Sequence, residues 1–204
     1  MLLCFKLLTR VDAAQVCDAR NDAIFTRASH PKKSLMNNNF PEFNKRINSN
    51  FFFRQFLLAK LPSAYFAGLR ITAFNDRSAT VSVKQKWFNQ NPFRSIYFAI
   101  LTMAGEMCTG VLCLGNTYKR KPAVSMLVVE QHGKFHKKAT STILFTCTDG
   151  NKIMQAVENA VATGNAVTVE CYSKGLNSNN EVVAEFWVTW SFKVRQGKAK
   201  PLAD

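Results

Sequence analysis

Acidic residues are scarce in this sequence of 204 residues, which has 13 aspartates and glutamates against 27 lysines and arginines. The resulting net charge of +14 favours negatively charged partners, among them nucleic acid, anionic lipid and phosphorylated cofactors. The sequence also lacks a G-x-x-x-x-G-K phosphate loop, a dinucleotide-binding fingerprint and a serine nucleophile elbow. Nucleotide hydrolysis and serine-hydrolase chemistry therefore have no support.

Cysteine pairs at redox or metal-binding spacing are also missing. The six cysteines are scattered without a C-x-x-C, and most fall in apolar runs where cysteine behaves as a small hydrophobic residue. No cluster of carboxylates or cysteines accompanies His132 and His136, so we expect no metal ion. The opening MLLCFKLL is interrupted by Lys6, and no signal-peptide cleavage site follows it. We therefore expect a reduced, cytoplasmic protein.

The first part of the chain, residues 1–35, shows no sustained hydrophobic periodicity. We predict a poorly structured extension there, and we hypothesise that Met36 is the natural start and that the extension is not part of the natural protein. Residues 36–204 contain enough hydrophobic residues for one buried core, which predicts a single domain.

Hydrophobic patterning predicts helices and strands within residues 36–204. An amphipathic helix is predicted over residues 44–61, with Pro62 ending it and its apolar side packed on the core. Alternation of apolar and polar residues predicts a two-stranded hairpin after this helix and four further strands in the second half of the chain. A short helix near Asp149 is predicted between the second and the third of these four strands. This order predicts an α+β fold with an antiparallel sheet of about six strands. The residues expected on the buried side of the first helix are Ile47, Phe51, Phe52, Phe56, Leu57 and Leu61.

Between the hairpin and the third strand lies AILTMAGEMCTGVLCLG, residues 99–115, in which Glu106 is the single charged residue. A helix without a polar face is either buried or membrane-spanning, and this segment is long enough to cross a bilayer. A span would leave the apolar faces of the strands uncovered and would put Glu106 near the bilayer centre. We therefore predict a central helix wrapped by the sheet, and no membrane span. A carboxylate in such surroundings needs a partner or a raised pKa.

The strings VSVKQKWFNQNPFRSIYFAILTMAGEMCTGVL, GKFHKKATSTILFTCTDG and EVVAEFWVTWSF together resemble a bacterial hotdog-fold family known only as a domain of unknown function. That family is related to the acyl-CoA thioesterases of the phenylacetyl-CoA thioesterase-like branch, and the resemblance covers about residues 51–195. It implies a hotdog fold, a homodimer or dimer of dimers with sites at the subunit boundary, and no cofactor besides a coenzyme A thioester as substrate or ligand.

The resemblance also implies catalytic roles for individual residues. Glu106 matches the carboxylate that activates water or attacks the thioester carbonyl, and Asn89 or Asn91 matches the asparagine in the turn before the helix. Related thioesterases often begin this helix with His-Gly-Gly, whereas this sequence has YFA, with Tyr97 in the place of the histidine.

The remaining candidates follow from the chemistry of thioester hydrolysis. Backbone N–H groups in the first turn of the helix, at Phe98 and Ala99, would stabilise an oxyanion. Basic residues near both ends of the helix would contact the coenzyme A phosphates. These candidates are Arg94, Lys119, Arg120, Lys121, Lys137 and Lys138.

Other interpretations stay open at this point. Glu106 could be a structural carboxylate satisfied by Thr102, by Asn91 or by a partner subunit, and Asn91 before Pro92 is also an ordinary turn residue. Our first functional hypothesis is an acyl-CoA thioesterase-like enzyme. The alternative is a non-catalytic acyl-CoA or lipid-binding protein, which the missing His-Gly-Gly favours. Nucleic-acid binding, suggested by the charge and by KQKWFNQNPFR, ranks lower because aromatic residues in strands mostly belong to the core.

Overall fold

Six antiparallel strands form one sheet in the computed structural model, which describes residues 37–195. The spatial order is β1-β2-β4-β5-β6-β3, so β1 and β3 are the edge strands of this sheet. The predicted antiparallel sheet of about six strands is confirmed, whereas the predicted extension over residues 1–35 lies outside the described residues. The strands are β1 Arg70–Phe74, β2 Ala79–Lys84, β3 Val124–Phe135, β4 Thr142–Cys147, β5 Val167–Leu176 and β6 Val182–Val194.

The helices pack on one another and on this sheet. The longest, α4, contacts the five strands β2 to β6, so the predicted central helix is confirmed. Within residues 37–195 it is the one helix long and apolar enough to cross a membrane, and most of it is buried inside the protein. The helices are α1 Phe40–Ile47, α2 Asn50–Lys60, α3 Pro62–Ala67, α4 Phe98–Thr117 and α5 Gly150–Thr163, with a 3-10 turn at Trp87–Asn89.

Close approach of α4 to the sheet depends on glycine. A Cβ atom at Gly105 would lie 2.4 Å from the ring of Phe186, and a Cβ atom at Gly133 on β3 would lie 2.5 Å from the same ring. Because Phe186 is fully buried, its ring has no space to move away. The two glycines therefore allow this phenylalanine to fill the gap between helix and sheet.

The N-terminal helices differ from the single helix predicted over residues 44–61. Ser49 adopts an extended backbone that separates α1 from α2, and Pro62 begins α3 instead of ending the helical region. Proline suits the first position of a helix because the N–H group it lacks would be unpaired there. Since the break resets the helical phase, Phe53 and Leu57 form the buried side of α2. Four residues predicted to be buried are exposed instead, namely Phe51, Phe52, Phe56 and Leu61.

Helix α1 is fixed to the C-terminal end of α4. The side-chain amide of Asn37, just before α1, donates to the carbonyl oxygens of Gly115 and Tyr118 at 3.0 and 2.8 Å. A Cβ atom at Gly115 would lie 2.6 Å from the ring of Phe40, so the two helices are in close contact. This attachment holds α1 and α2 beside α4, where they form one side of the pocket described below.

The first hairpin and the short helix agree with the predictions. Strands β1 and β2 pair across a turn in which the side-chain oxygen of Asn75 accepts from the N–H groups of Arg77 and Ser78. Helix α5 packs against α4, β5 and β6 and ends at Gly164, which has a positive φ of 71°. Asp149 precedes α5, but its carboxylate accepts from the backbone N–H of Tyr172 and makes no cap hydrogen bond.

Candidate functional site

A pocket of about 900 Å³ lies between the N-terminal helices α1 and α2, helix α4 and the sheet. Its wall is largely apolar, and Glu106 is the charged residue that α4 contributes to it. Trp190 of β6 and Met126 of β3 form its sheet side. The remaining apolar lining residues are Phe43, Ile47, Phe52, Phe53, Phe56, Leu57, Leu61, Met107, Gly110, Val111, Leu114 and Tyr118.

The carboxylate of Glu106 has neither a hydrogen bond nor an ion pair with any residue in 37–195. Within the described chain, the alternative interpretation in which Thr102 or Asn91 satisfies this carboxylate is therefore wrong. Burial raises the pKa of Glu106 above its ordinary value of 4.5. Space for the carboxylate comes from Gly110, one helical turn later, where a Cβ atom would lie 3.2 Å from Oε1. Glu106 is therefore an unpaired acid in an apolar wall.

The indole N–H of Trp190 is not available to Glu106. It donates to the hydroxyl of Thr109 at 2.9 Å, and this hydroxyl donates to the backbone carbonyl of Glu106 at 2.9 Å. Both Thr109 and Trp190 are buried. These bonds hold the indole ring in the pocket wall with its polar atom satisfied.

Asn89 lies buried at the end of the 3-10 turn, where its side chain bonds to the backbone. Its oxygen accepts from the N–H of Lys86 at 2.9 Å, and its amide donates to the carbonyls of Ala67 and Lys84 at 3.0 and 2.9 Å. The backbone carbonyl of Asn89 accepts from the N–H of Tyr97 at 2.8 Å. Asn89 thereby positions the residue that precedes α4.

Asn91 organises the next turn. Its side-chain oxygen accepts from the N–H of Phe93 at 3.0 Å and from both the N–H and the hydroxyl of Ser95 at 3.2 Å. This is the behaviour of a turn asparagine. The structure thus places both candidate asparagines in the loop before α4, and neither bonds to Glu106.

The first turn of α4 carries free backbone donors. The N–H groups of Phe98 and Ala99 donate to no acceptor within residues 37–195, as is usual at the start of a helix. The half-exposed rings of Tyr97 and Phe98 lie 4.8 Å apart beside these groups. Ala99 and Glu106 are separated by about 10 Å along the helix axis at 1.5 Å per residue. One chain therefore does not bring these N–H groups and the Glu106 carboxylate to a single carbonyl group.

The candidate phosphate contacts fall into two groups at opposite ends of α4, which are about 30 Å apart for a helix of 20 residues. Arg94 and the Lys137–Lys138 pair lie toward the N-terminal end, where the N–H of Ile96 donates to the carbonyl of Ala139. The others follow the C-terminal end, so one chain does not gather all of them. Within residues 37–195, Arg94, Lys121 and Lys138 have no ion pair, whereas the pairs Lys119–Glu42, Arg120–Glu158 and Lys137–Glu181 are formed.

The cysteines and histidines add no metal-binding group in the described part of the chain. No three histidine, cysteine, aspartate or glutamate side chains come together within residues 37–195. His132 stacks on Trp187, and His136 Nε2 lies 2.7 Å from Glu185 on the outer face of the sheet. The cysteines of this region, Cys108, Cys113, Cys147 and Cys171, are buried and free.

Helices α1 and α2 contribute residues to the pocket that the sequence did not predict as pocket residues. Phe52 and Phe56 line it, and Lys45 and Arg46 stand at its edge. A signal was present in the run NFFFRQFLL, which holds more apolar residues than one buried stripe of a helix requires. Such an excess indicates a second apolar contact besides the core.

No protein-family model matches the sequence, and no curated protein matches it. Solved structures do match the fold. A probable thioesterase from Pseudomonas aeruginosa is 19% identical, with a TM-score of 0.61 over 70% of this chain and 95% of that one. A thioesterase from Haemophilus influenzae is 11% identical, with a TM-score of 0.53 over 74% and 95%.

The PaaI protein from the phenylacetic acid degradation operon of E. coli is 12% identical, with a TM-score of 0.51 over 76% of this chain and 97% of that one. At such identities the likeness bears on the fold alone. It supports the hotdog fold that the sequence resemblance implies.

Proposed function

We propose that this protein hydrolyses an acyl thioester of coenzyme A, with the acyl group held in the pocket beside Glu106. The observation that carries the proposal is a carboxyl group in the wall of a large apolar pocket, with its pKa raised by burial and with no hydrogen-bond or ion-pair partner among residues 37–195. Such a group is suited to act as a general base near neutral pH. The thioesterases among the similar solved structures support the proposal at the level of the fold.

In the proposed reaction Glu106 takes a proton from a water molecule as the water oxygen attacks the carbonyl carbon of the thioester. The carbonyl oxygen becomes an oxyanion, which accepts hydrogen bonds from the N–H groups of Phe98 and Ala99. The C–S bond then breaks, and the thiolate of coenzyme A leaves with the proton that Glu106 accepted. A carboxylic acid and a free thiol are the products.

The distance of about 10 Å between Ala99 and Glu106 along α4 requires the oxyanion donors to come from a second copy of the chain. We therefore propose a homodimer with its sites at the subunit boundary. The edge strand β3 supports this arrangement, because a strand with one unpaired side is ready to pair with another chain. Beside it, Tyr97, Phe98 and Phe135 form a half-exposed aromatic cluster that a partner would cover. A two-fold axis would then bring the first turn of each α4 toward the other Glu106.

The other candidate residues have supporting roles in this proposal. Asn89 and Asn91 shape the loop that sets the start of α4, and Tyr97 contributes its ring to the subunit boundary. Arg94 and Lys138 meet the coenzyme A phosphates, since both lie toward the N-terminal end of α4 and neither has an ion pair within residues 37–195. The free, buried cysteines are consistent with our proposal of a reducing, cytoplasmic setting.

Release of free thiol from a panel of acyl-CoA substrates tests the reaction. Glu106→Gln should lower kcat by about 10²- to 10⁴-fold, the usual contribution of a general base, while acyl-CoA still binds. Glu170→Gln, which removes an exposed carboxylate on β5, is the matched control and should hydrolyse as the wild type does. Equal turnover by Glu106→Gln and the wild type would remove Glu106 from the mechanism.

The second candidate function is acyl-CoA or lipid binding without hydrolysis. The aromatic pair Tyr97 and Phe98 favours it, because at the start of α4 Tyr97 stands where the related thioesterases have histidine and Phe98 stands where they have glycine. The same assay decides between the two functions. Tight binding of acyl-CoA with no thiol release by either the wild type or Glu106→Gln would establish the binding protein.

A further inference from the structure

We propose that the acyl group taken by this pocket is a long, unbranched hydrocarbon chain rather than an aryl-acyl group, an inference that rests on the proposed function. The size, the shape and the chemistry of the pocket each bear on it. All three are properties of the wall formed by α1, α2 and α4.

The size of the pocket exceeds the needs of one aromatic ring. A cavity of about 150 Å³ is enough to bind benzene. The pocket beside Glu106 measures about 900 Å³, near the upper end of the range for sites of small molecules. A phenylacetyl group would leave most of it unfilled, whereas a long acyl chain would occupy it.

The pocket is also elongated along α4. Its lining residues on this helix recur every three or four positions, from Glu106 through Gly110 to Leu114, and Tyr118 continues the same stripe. From Glu106 to Tyr118 the stripe spans about 18 Å at 1.5 Å per residue. Phe53 and Leu57 of α2 face the pocket from its other side. The space is therefore a trough that follows the helix, as a linear chain requires.

Polar groups stand at the two ends of this trough. Glu106 lies at one end, and Glu42 lies at the other, where it accepts from the hydroxyl of Tyr118 at 3.1 Å and pairs with Arg46 at 3.0 Å. Between the ends the side chains from α4 are Met107, Val111 and Leu114, which offer no hydrogen bond to a ligand. A methylene chain forms no hydrogen bonds, so the carbonyl group of an acyl ligand can lie at Glu106 while its hydrocarbon chain runs toward Leu114 and Tyr118.

Binding of free fatty acids to the full-length protein tests the inference separately from hydrolysis. Straight-chain acids from four to eighteen carbons, and phenylacetate, are titrated against a bound fluorescent fatty acid. Each added methylene should tighten binding about fourfold until the trough is full. Hydrolysis of the corresponding acyl-CoA series is measured in parallel.

A substitution in the trough supplies the second arm of this test. Leu114→Trp places a large ring in the path of the chain at a position that is 39% exposed, and Leu144→Trp on β4 is the matched control at 43% exposure. Leu114→Trp should weaken binding of the longest acids at least tenfold and leave the short acids unaffected, whereas Leu144→Trp should change neither. Leu114→Phe repeats the test with a smaller ring if the tryptophan variant does not fold.

Each outcome has a distinct meaning. Affinity that rises with chain length without thiol release supports the long-chain inference and contradicts the proposed hydrolysis. Thiol release that is fastest with phenylacetyl-CoA or with the shortest acyl groups, and affinity that does not grow with chain length, overturns the inference while the proposed hydrolysis stands. Unchanged binding of the longest acids by folded Leu114→Trp or Leu114→Phe also overturns it.

Discussion

Replacement of Glu106 by glutamine should change how the stability of this protein depends on pH. The carboxyl group is partly buried in an apolar pocket wall, and it has no hydrogen bond or ion pair within residues 37–195. Burial therefore raises its pKa in the folded protein above the ordinary value of 4.5 that it regains on unfolding. Between these two pKa values the folded state holds a proton that the unfolded state has released.

This difference in bound protons sets the sign of the effect. Wild-type stability should fall as pH rises from about 4.5 toward the folded-state pKa, and the contribution of Glu106 should be constant above it. One proton gives a maximum slope of about 1.4 kcal/mol in the free energy of unfolding per pH unit. Glu106→Gln has no proton to release at this site, so its stability relative to the wild type should increase with pH up to this slope and then level off.

Urea denaturation followed by tryptophan fluorescence, at constant ionic strength from pH 4.5 to 8, measures this difference. Glu42→Gln is the control, because the hydrogen bond from Lys119 lowers the pKa of Glu42. A lowered pKa confines the difference in bound protons between the folded and unfolded states to pH near and below 4.5, so the stability of Glu42→Gln relative to the wild type should stay nearly constant from about pH 5.5 to 8. A stability difference for Glu106→Gln that is constant over this range, or that shrinks with rising pH, would show that the carboxylate has a stabilising partner.

Three further substitutions test the packing and hydrogen bonds around the site, each by urea denaturation with circular dichroism. Gly105→Ala should lower the free energy of unfolding by about 1–3 kcal/mol, because its Cβ would lie 2.4 Å from the buried ring of Phe186. Asn89→Ala removes three hydrogen bonds to the backbone and should cost about 3 kcal/mol, at about 1 kcal/mol each; a loss below about 0.5 kcal/mol would contradict this structural role. Thr109→Val leaves the indole N–H of Trp190 without its acceptor and should lower the free energy of unfolding by about 1–3 kcal/mol. Valine is chosen because glycine at this position would also weaken the helix.

Much of the fold follows from patterns that are local in the sequence. Alternation along β6 separates buried Phe186, Val188 and Phe192 from the outer face, and the structure keeps this separation. Helix α4 could be identified because it has no polar face, and a helix of this kind needs cover from all sides. Strand and helix periodicities act over a few residues, so they are readable without the tertiary structure.

The buried side of the N-terminal helices could not be predicted from these local patterns. A single extended residue, Ser49, changes the helical phase, so the side of α2 that is buried differs from the one that a continuous helix would bury. Nothing in the spacing of Phe51, Phe52 and Phe53 decides which of them faces the core, because all three are equally apolar. Packing of α2 against α1, α3 and β1 makes the choice.

The sequence alone places one carboxylate, Glu106, in an apolar helix, predicts an antiparallel sheet of about six strands packed on this helix, and favours anionic partners through the net charge of +14. These properties depend on composition and on short-range periodicity. The folded structure is needed to show that Asn89 bonds to the carbonyls of Ala67 and Lys84, that Asn91 bonds within its own turn, and that Lys137 and Lys138 lie toward the N-terminal end of α4. It is also needed to show that Glu106 lines a pocket and that α1 and α2 form one side of this pocket. The reason is physical: hydrogen-bond partners, the burial of a carboxyl group and the walls of a cavity come from residues far apart in the chain, and folding alone brings them together.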